Sequence, residues 1–180
     1  MAGPLEKLTI LVVEDNKPMR GLVRDILEAL GVGTILEAAD GNAALKLMHA
    51  HAVDMVIVDW AMEPMNGMDF TRQVRTSPDS PDTFVPIIML SGHTERTRII
   101  EARDAGVTEF MAKPVSVRAL CSRISAIIDN PRPFIRTGGY FGPDRRRRNL
   151  PFNGPERRTQ KASRVVTTTL TEPGATAREW

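Results

Sequence analysis

Short apolar runs recur through the first two thirds of the chain, and each stops at a polar side chain. Leu8-Thr9-Ile10-Leu11-Val12-Val13 precedes Glu14 and Asp15, Val53-Asp54-Met55-Val56-Ile57-Val58 precedes Asp59, Pro86-Ile87-Ile88-Met89-Leu90 precedes Ser91, and Thr108-Glu109-Phe110-Met111-Ala112 precedes Lys113. Near-continuous runs of this kind are what strands buried on both faces of a parallel sheet require. Between them the apolar period changes from 2 to 3.6. After Pro18, Met19, Leu22, Val23, Ile26, Leu27 and Leu30 fall at helical spacing and Gly31 supplies a stop. Ser116 can cap a helix carrying Val117, Leu120, Cys121, Ile124, Ile127 and Ile128, which Pro131 closes.

The pattern predicts further strands over residues 34–38, 53–58, 86–90 and 108–111, and helices over 41–50, 67–75 and 94–104. Five strands alternating with five helices make an α/β fold, a parallel sheet covered on both faces through right-handed crossovers. In the flavodoxin-like strand order 2-1-3-4-5 the switch point lies between the first and third strands, whose ends carry Glu14, Asp15 and Asp59. Beyond Asn130 the periodic pattern stops in a stretch rich in proline and glycine. The expected division is therefore a folded domain over residues 5–130 and a flexible tail over 131–180 without a core of its own.

Charge divides the chain at the same place. Residues 1–130 hold 13 Lys and Arg against 18 Asp and Glu, net −5, whereas residues 131–180 hold 11 against 4, net +7, for a total of +2. The basic character belongs to the tail. Cys121 is the only cysteine, so an intrachain disulfide is excluded, and the residue reads as a small buried hydrophobe. The start of the chain lacks a basic segment leading into an apolar one, and no apolar stretch reaches the length of a membrane span. A cytoplasmic location is expected.

Three carboxylates, a hydroxyl and a lysine would share one rim of the sheet. Clustered carboxylates repel one another, and a hard cation with oxygen ligands, Mg²⁺ above all, relieves the repulsion. Mg²⁺ in turn attracts phosphate, and a carboxylate can accept a phosphoryl group covalently when cations and donors meet the charge on its oxygens. Lys113 and Ser91 are such groups.

Glu14-Asp15, Asp59, Ser91 and Lys113-Pro114, each after the matching strand, resemble the response-regulator receiver domain of two-component signalling, and the resemblance covers residues 5–129. It implies that Asp59 accepts a phosphoryl group from a histidine kinase or phosphotransfer protein, and that the chain signals without turning over a separate substrate. It also implies that Asp15 and Asp59 bind Mg²⁺ directly, that Glu14 contributes through water and that the Ala61 backbone carbonyl completes the ligands. Ser91 and Phe110 match the switch pair, whose hydroxyl moves onto the phosphoryl group while the ring turns inward, and a cis peptide is implied before Pro114. Output would run through a downstream protein contacting the fourth helix, fifth strand and fifth helix, at Arg96, Arg98, Ile99, Phe110 and Arg118. In one departure from the family pattern, Glu63-Pro64 occupies a stretch where proline more often follows Met62 directly. Ala61 and His93 lie two residues beyond Asp59 and Ser91, where side chains can screen the phosphoryl group from water.

The tail contains an imperfect repeat. Phe141-Gly142-Pro143-Asp144 runs into Arg145, Arg146, Arg147 and Arg148, and Asn153-Gly154-Pro155-Glu156 runs into Arg157 and Arg158. Aromatic residues Phe134, Tyr140, Phe141, Phe152 and Trp180 are interleaved with these arginines. Three readings stay open: a solvated tail that attracts anions without specificity, a tail that folds onto an acidic partner or onto the acidic receiver itself, and a binder of nucleic acid or a cyclic dinucleotide. The likeness to receivers whose arginine-rich extensions bind cyclic di-GMP is one of composition only.

Overall fold

Each apolar run becomes a strand, and each strand is sealed by helices whose apolar stripes face it. The computed structural model describes residues 5–92, 95–145 and, for the backbone, 163–165. In chain order the elements are β1 (Thr9–Val13), α1 (Lys17–Ala29), β2 (Thr34–Ala38), α2 (Gly41–Ala50), β3 (Met55–Asp59), α3 (Gly67–Thr76), β4 (Ile87–Ser91), α4 (Arg96–Ala105), β5 (Glu109–Ala112) and α5 (Val117–Asp129). The five strands are parallel in the order β2-β1-β3-β4-β5. The alternation of apolar periods predicts the parallel sheet, and the order is the flavodoxin-like one considered for it.

Side chains alternate across the sheet and divide the core in two. Leu11, Val13, Val56, Val58, Ile87 and Met89 pack with α2, α3 and α4, whereas Ile10, Val12, Met55, Ile57, Ile88 and Leu90 pack with α1 and α5. β3 and β4 are buried along their whole length, as central parallel strands must be, while β2 at the edge is mostly open. Local chemistry sets the helix starts. Asn16, Asp40, Asn66 and Ser116 each accept a hydrogen bond from a backbone N–H in the first turn of α1, α2, α3 and α5 respectively. Among the described residues, no helix is long and apolar enough to cross a membrane. Cys121, expected to be buried, is only half-buried on α5.

The loss of regular structure expected beyond Asn130 does not begin there. β6 (Phe134–Thr137) and β7 (Tyr140–Pro143) form an antiparallel hairpin joined by Gly138 and Gly139, and β8 (Ser163–Val165) pairs with the other edge of β6. The hairpin has no core of its own and borrows one. Phe134 and Phe141 are buried against Phe84 at ring-centroid distances of 5.2 and 5.3 Å. Strands of four residues broken by glycine and proline carry too short a period to be read from sequence, and their burial comes from the receiver beneath. The positions 146–148, 157 and 158 of the arginine repeat, and His93, lie outside the described residues.

The two-layer core makes a stability prediction. Ile57→Ala and Met89→Ala, on opposite faces of the sheet and both fully buried, are each expected to cost about 2–5 kcal/mol in denaturant unfolding. Leu22→Ala, at a position that is 45% exposed, is expected to stay within about 0.5 kcal/mol.

Candidate functional site

Parallel strands deliver their C-terminal ends to one edge, so the polar residues that stop β1, β3, β4 and β5 meet there. Glu14 follows β1 and is 1% exposed, Asp59 closes β3 at 4%, and Ser91 closes β4 at 1%. Asp15 is exposed beside them. Glu14, Asp15 and Asp59 each offer a carboxylate oxygen, and these atoms lie within 4.8 Å of one another. Lys113, just past β5, donates to Glu14 Oε2 at 2.8 Å and stands 2.8 Å from Asp59 Oδ1. The cis Lys113-Pro114 peptide and the bond from Lys113 N–H to the Ser91 carbonyl, 2.8 Å, fix the backbone that carries this lysine.

Two further contacts hold the loops. Arg20, on α1, donates through Nη1 to the Glu14 carbonyl at 2.7 Å while its Nε pairs with Glu37 Oε2 at 3.2 Å, tying the β1–α1 turn to β2. On a helix surface this arginine reads as solvated, and nothing in its spacing marks it. After β3 the chain turns back so closely that a Cβ on Gly67 would collide with the Asp59 carbonyl. That near contact is why a glycine starts α3. The loop between them contains exposed Ala61, buried Met62 and a cis Glu63-Pro64 peptide, the place where the sequence departs from the family pattern. Phe110 is half-buried on β5, in register with Met89 of β4.

The electrostatics follow from burial. Loss of water raises the Glu14 carboxyl above the ordinary carboxylate range; the Lys113 hydrogen bond opposes this and the Asp59 charge adds to it. For Lys113, burial disfavours the ammonium, but hydrogen bonds to Asp59 and Glu14, together with their charges, outweigh it and raise the pKa. The rim therefore holds more negative charge than its own lysine neutralises comfortably. Three carboxylates in reach of one point, partly open to solvent at Asp15, form an all-oxygen donor set compatible with a hard divalent cation.

Known proteins resemble this chain over its first two thirds. Residues 10–125 match the family model of the response regulator receiver domain. The chain is 34% identical over 122 residues to the chemotaxis protein CheY of Pseudomonas aeruginosa, spanning 68% of this chain and 97% of that one. It is 33% identical over 122 residues to chemotaxis protein CheY1 of Helicobacter pylori, spanning 67% and 97%. Among solved structures, Vibrio cholerae chemotaxis protein CheY4 superposes with a TM-score of 0.62 at 29% identity, covering 67% of this chain and 98% of that one.

The raised Glu14 pKa has a measurable consequence. Folding favours the protonated form, so stability is lost as pH rises through the folded-state pKa. In metal-free protein at neutral pH, Glu14→Gln is expected to unfold at a higher temperature than wild type. The difference should vanish below the ordinary carboxylate range, where Glu14 is protonated in both states. A glutamine variant less stable than wild type at neutral pH would show that the Lys113 bond outweighs burial.

Proposed function

The chain belongs to the response-regulator receiver family, and we propose that Asp59 is the residue whose phosphorylation carries its signal. The observation that supports this reading is the pairing of a nearly buried Asp59 with Lys113 at 2.8 Å beside two further carboxylates. The donor would be a phosphohistidine on a sensor kinase or phosphotransfer protein. An Asp59 carboxylate oxygen attacks phosphorus, the new P–O bond forms as the P–N bond breaks, and the electron pair of the broken bond stays on the imidazole of the donor.

The residues around Asp59 divide the remaining work. Asp15, Asp59 and the Ala61 carbonyl would hold Mg²⁺, with Glu14 contributing through water; when bound, the ion supplies positive charge to the phosphoryl oxygens. Lys113 already sits at the carboxylate that would gain the phosphoryl group. As a compact charge with three donors on a flexible stem, it can follow the negative charge from carboxylate to phosphoryl oxygen. Ser91, at the end of β4, would donate its hydroxyl to the new group, and Phe110 on the neighbouring strand would follow it inward. The readout is a face of α4, β5 and α5 on which Ile99 and Ile100 are exposed together with Arg96 and Arg118, beside half-buried Arg98. Apolar side chains rimmed by arginines suit a protein partner with acidic groups around an apolar contact.

For the tail, the described part favours the reading in which it folds onto the receiver. Arg132 pairs with Glu109 at 3.4 Å and Arg145 with Asp104 at 3.4 Å. The first arginine of the repeat is thus engaged by α4.

Incubation with acetyl phosphate and Mg²⁺ is expected to add one acid-stable, base-labile phosphoryl group, and Asp59→Asn to abolish it. Undiminished labelling of that variant by mass spectrometry would place the acceptor elsewhere. Lys113→Ala is expected to keep most Mg²⁺ affinity, followed through the fluorescence of Trp60 next to Asp59, while losing the conformational response to phosphorylation. Large loss of Mg²⁺ affinity with a normal response would contradict the role given to Lys113.

A further inference from the structure

We propose that the β6–β7 hairpin is a built-in clamp on α4 that opposes phosphorylation at the far end of the sheet. This rests on Asp59 as the acceptor and adds a control element to it. The hairpin lies against Phe84, just before β4, and Gly106, just before β5. Both belong to the edge of the sheet opposite the carboxylate rim, so the coupling must be carried by an element that spans the distance. α4, ten residues long and so about 15 Å, does so.

α4 is poorly anchored through its own side chains. Only Ala102 and Ala105 are buried, while Ile99 and Ile100 are 40% and 37% exposed. Contacts at its two ends therefore weigh heavily in setting its position. Toward the rim, the Arg98 guanidinium lies over the Trp60 ring at 5.2 Å. Trp60 directly follows Asp59, and its N–H bonds the Leu90 carbonyl at 2.9 Å. At the other end, Gly106 closes the helix with φ +96, a conformation that favours glycine.

The hairpin seats on that closing turn. A Cβ on Gly106 would lie 3.0 Å from both the Phe141 carbonyl and Arg75 Cγ, and a Cβ on Gly142 would lie 2.8 Å from Gly106 Cα. Arg145 reaches back to Asp104, in the last turn of α4, at 3.4 Å, with its guanidinium 4.0 Å from the Tyr140 ring centroid. Beneath, Arg75 of α3 is 3% exposed and joins the parts. Its Nε donates to the Gly106 carbonyl at 3.0 Å, its Nη1 to the Thr83 carbonyl at 2.9 Å, and its guanidinium faces the Phe134 ring at 5.1 Å. Lifting the hairpin forfeits the contacts among the Phe84, Phe134 and Phe141 rings and the stacking of Phe134 on the Arg75 guanidinium. Movement of Ser91 onto a phosphoryl group would be passed along the chain to α4, and the docked hairpin would resist that displacement from the other end. By linkage, phosphorylation must loosen the hairpin to the same extent that the hairpin opposes phosphorylation.

Two glycine substitutions in the full-length chain separate docking from mere presence of the hairpin. Gly142→Ala places a methyl group 2.8 Å from Gly106 Cα and 2.7 Å from the Tyr140 hydroxyl, the end of a side chain that can turn aside where the Gly106 backbone cannot, whereas Gly139→Ala, at the hairpin tip with nothing within 4 Å, changes no contact. Hydrogen exchange is measured by mass spectrometry with and without acetyl phosphate and Mg²⁺, alongside the rate of phosphorylation. Gly142→Ala is expected to speed exchange at residues 134–143 and 96–106 without any phosphodonor, and to raise the phosphorylation rate at least about fivefold. Gly139→Ala should match wild type, and phosphorylated wild type should exchange faster at 134–143. Release of the hairpin in Gly142→Ala with unchanged exchange at 96–106 and an unchanged phosphorylation rate would overturn the proposal. So would hairpin amides as protected in Gly142→Ala as in wild type, since the contact with Gly106 would then not exist. If Asp59 takes up no phosphoryl group, the proposed function fails, while exchange at 96–106 still decides whether the hairpin holds α4.

Discussion

Glu14 and Asp59 are held almost out of water beside the exposed carboxylate of Asp15, and the Lys113 ammonium stands 2.8 Å from each of the buried pair. Most of the architecture serves to impose that crowding. Like charges drawn together at a low-dielectric edge raise one another's energy, and the burden falls visibly on Glu14, whose carboxyl is pushed toward its neutral form by burial. A divalent cation would relieve the repulsion, and a phosphoryl group transferred beside it would meet positive charge already in place. The free-energy cost of assembling the acids is met by the core beneath them, where two layers of aliphatic side chains clamp β1, β3 and β4 in register.

On the proposed function, the same crowding would let the site act as a switch. Lys113 is shared between Glu14 and Asp59, so a change in charge on Asp59 alters where the ammonium is best placed. Ser91 is joined to Lys113 through a backbone hydrogen bond of 2.8 Å, and it ends β4, the strand that precedes α4. A helix that buries only two alanines responds to small forces at its ends. Trp60 with Arg98 grips one end, and the hairpin with Gly106 and Asp104 grips the other.

The parts of this arrangement that the sequence displays are those with a period behind them. Buried parallel strands write themselves as apolar runs, so the five strands and the acids that end β1 and β3 could be placed from the sequence, whereas the strand order rested on the likeness to a known topology. Boundaries moved by a residue or two: β4 takes in Ser91, and α4 begins at Arg96. Residues whose role comes from a distant neighbour left no such trace. Arg20 looks like any arginine on an amphipathic helix until its hydrogen bond to the Glu14 carbonyl is seen. Arg75 reads as a polar residue near a helix end and is buried because Phe134, far along the chain, lies over it. The hairpin was hidden for the same reason, since the contact of Phe134 with Phe141 is closed over by Phe84 of the receiver, far away along the chain.

The central claim, that the rim is a phosphoacceptor site in which Lys113 follows the charge, is tested most directly by a crystal structure with Mg²⁺ and beryllofluoride, a mimic of a bound phosphoryl group. The account predicts beryllium bonded to an Asp59 carboxylate oxygen, the metal on Asp15, Asp59 and the Ala61 carbonyl, and Lys113 Nζ moved from the Asp59 carboxylate onto a fluorine. Beryllium on Glu14 or Asp15, or a Lys113 still bridging Glu14 and Asp59 with no contact to fluorine, would contradict it.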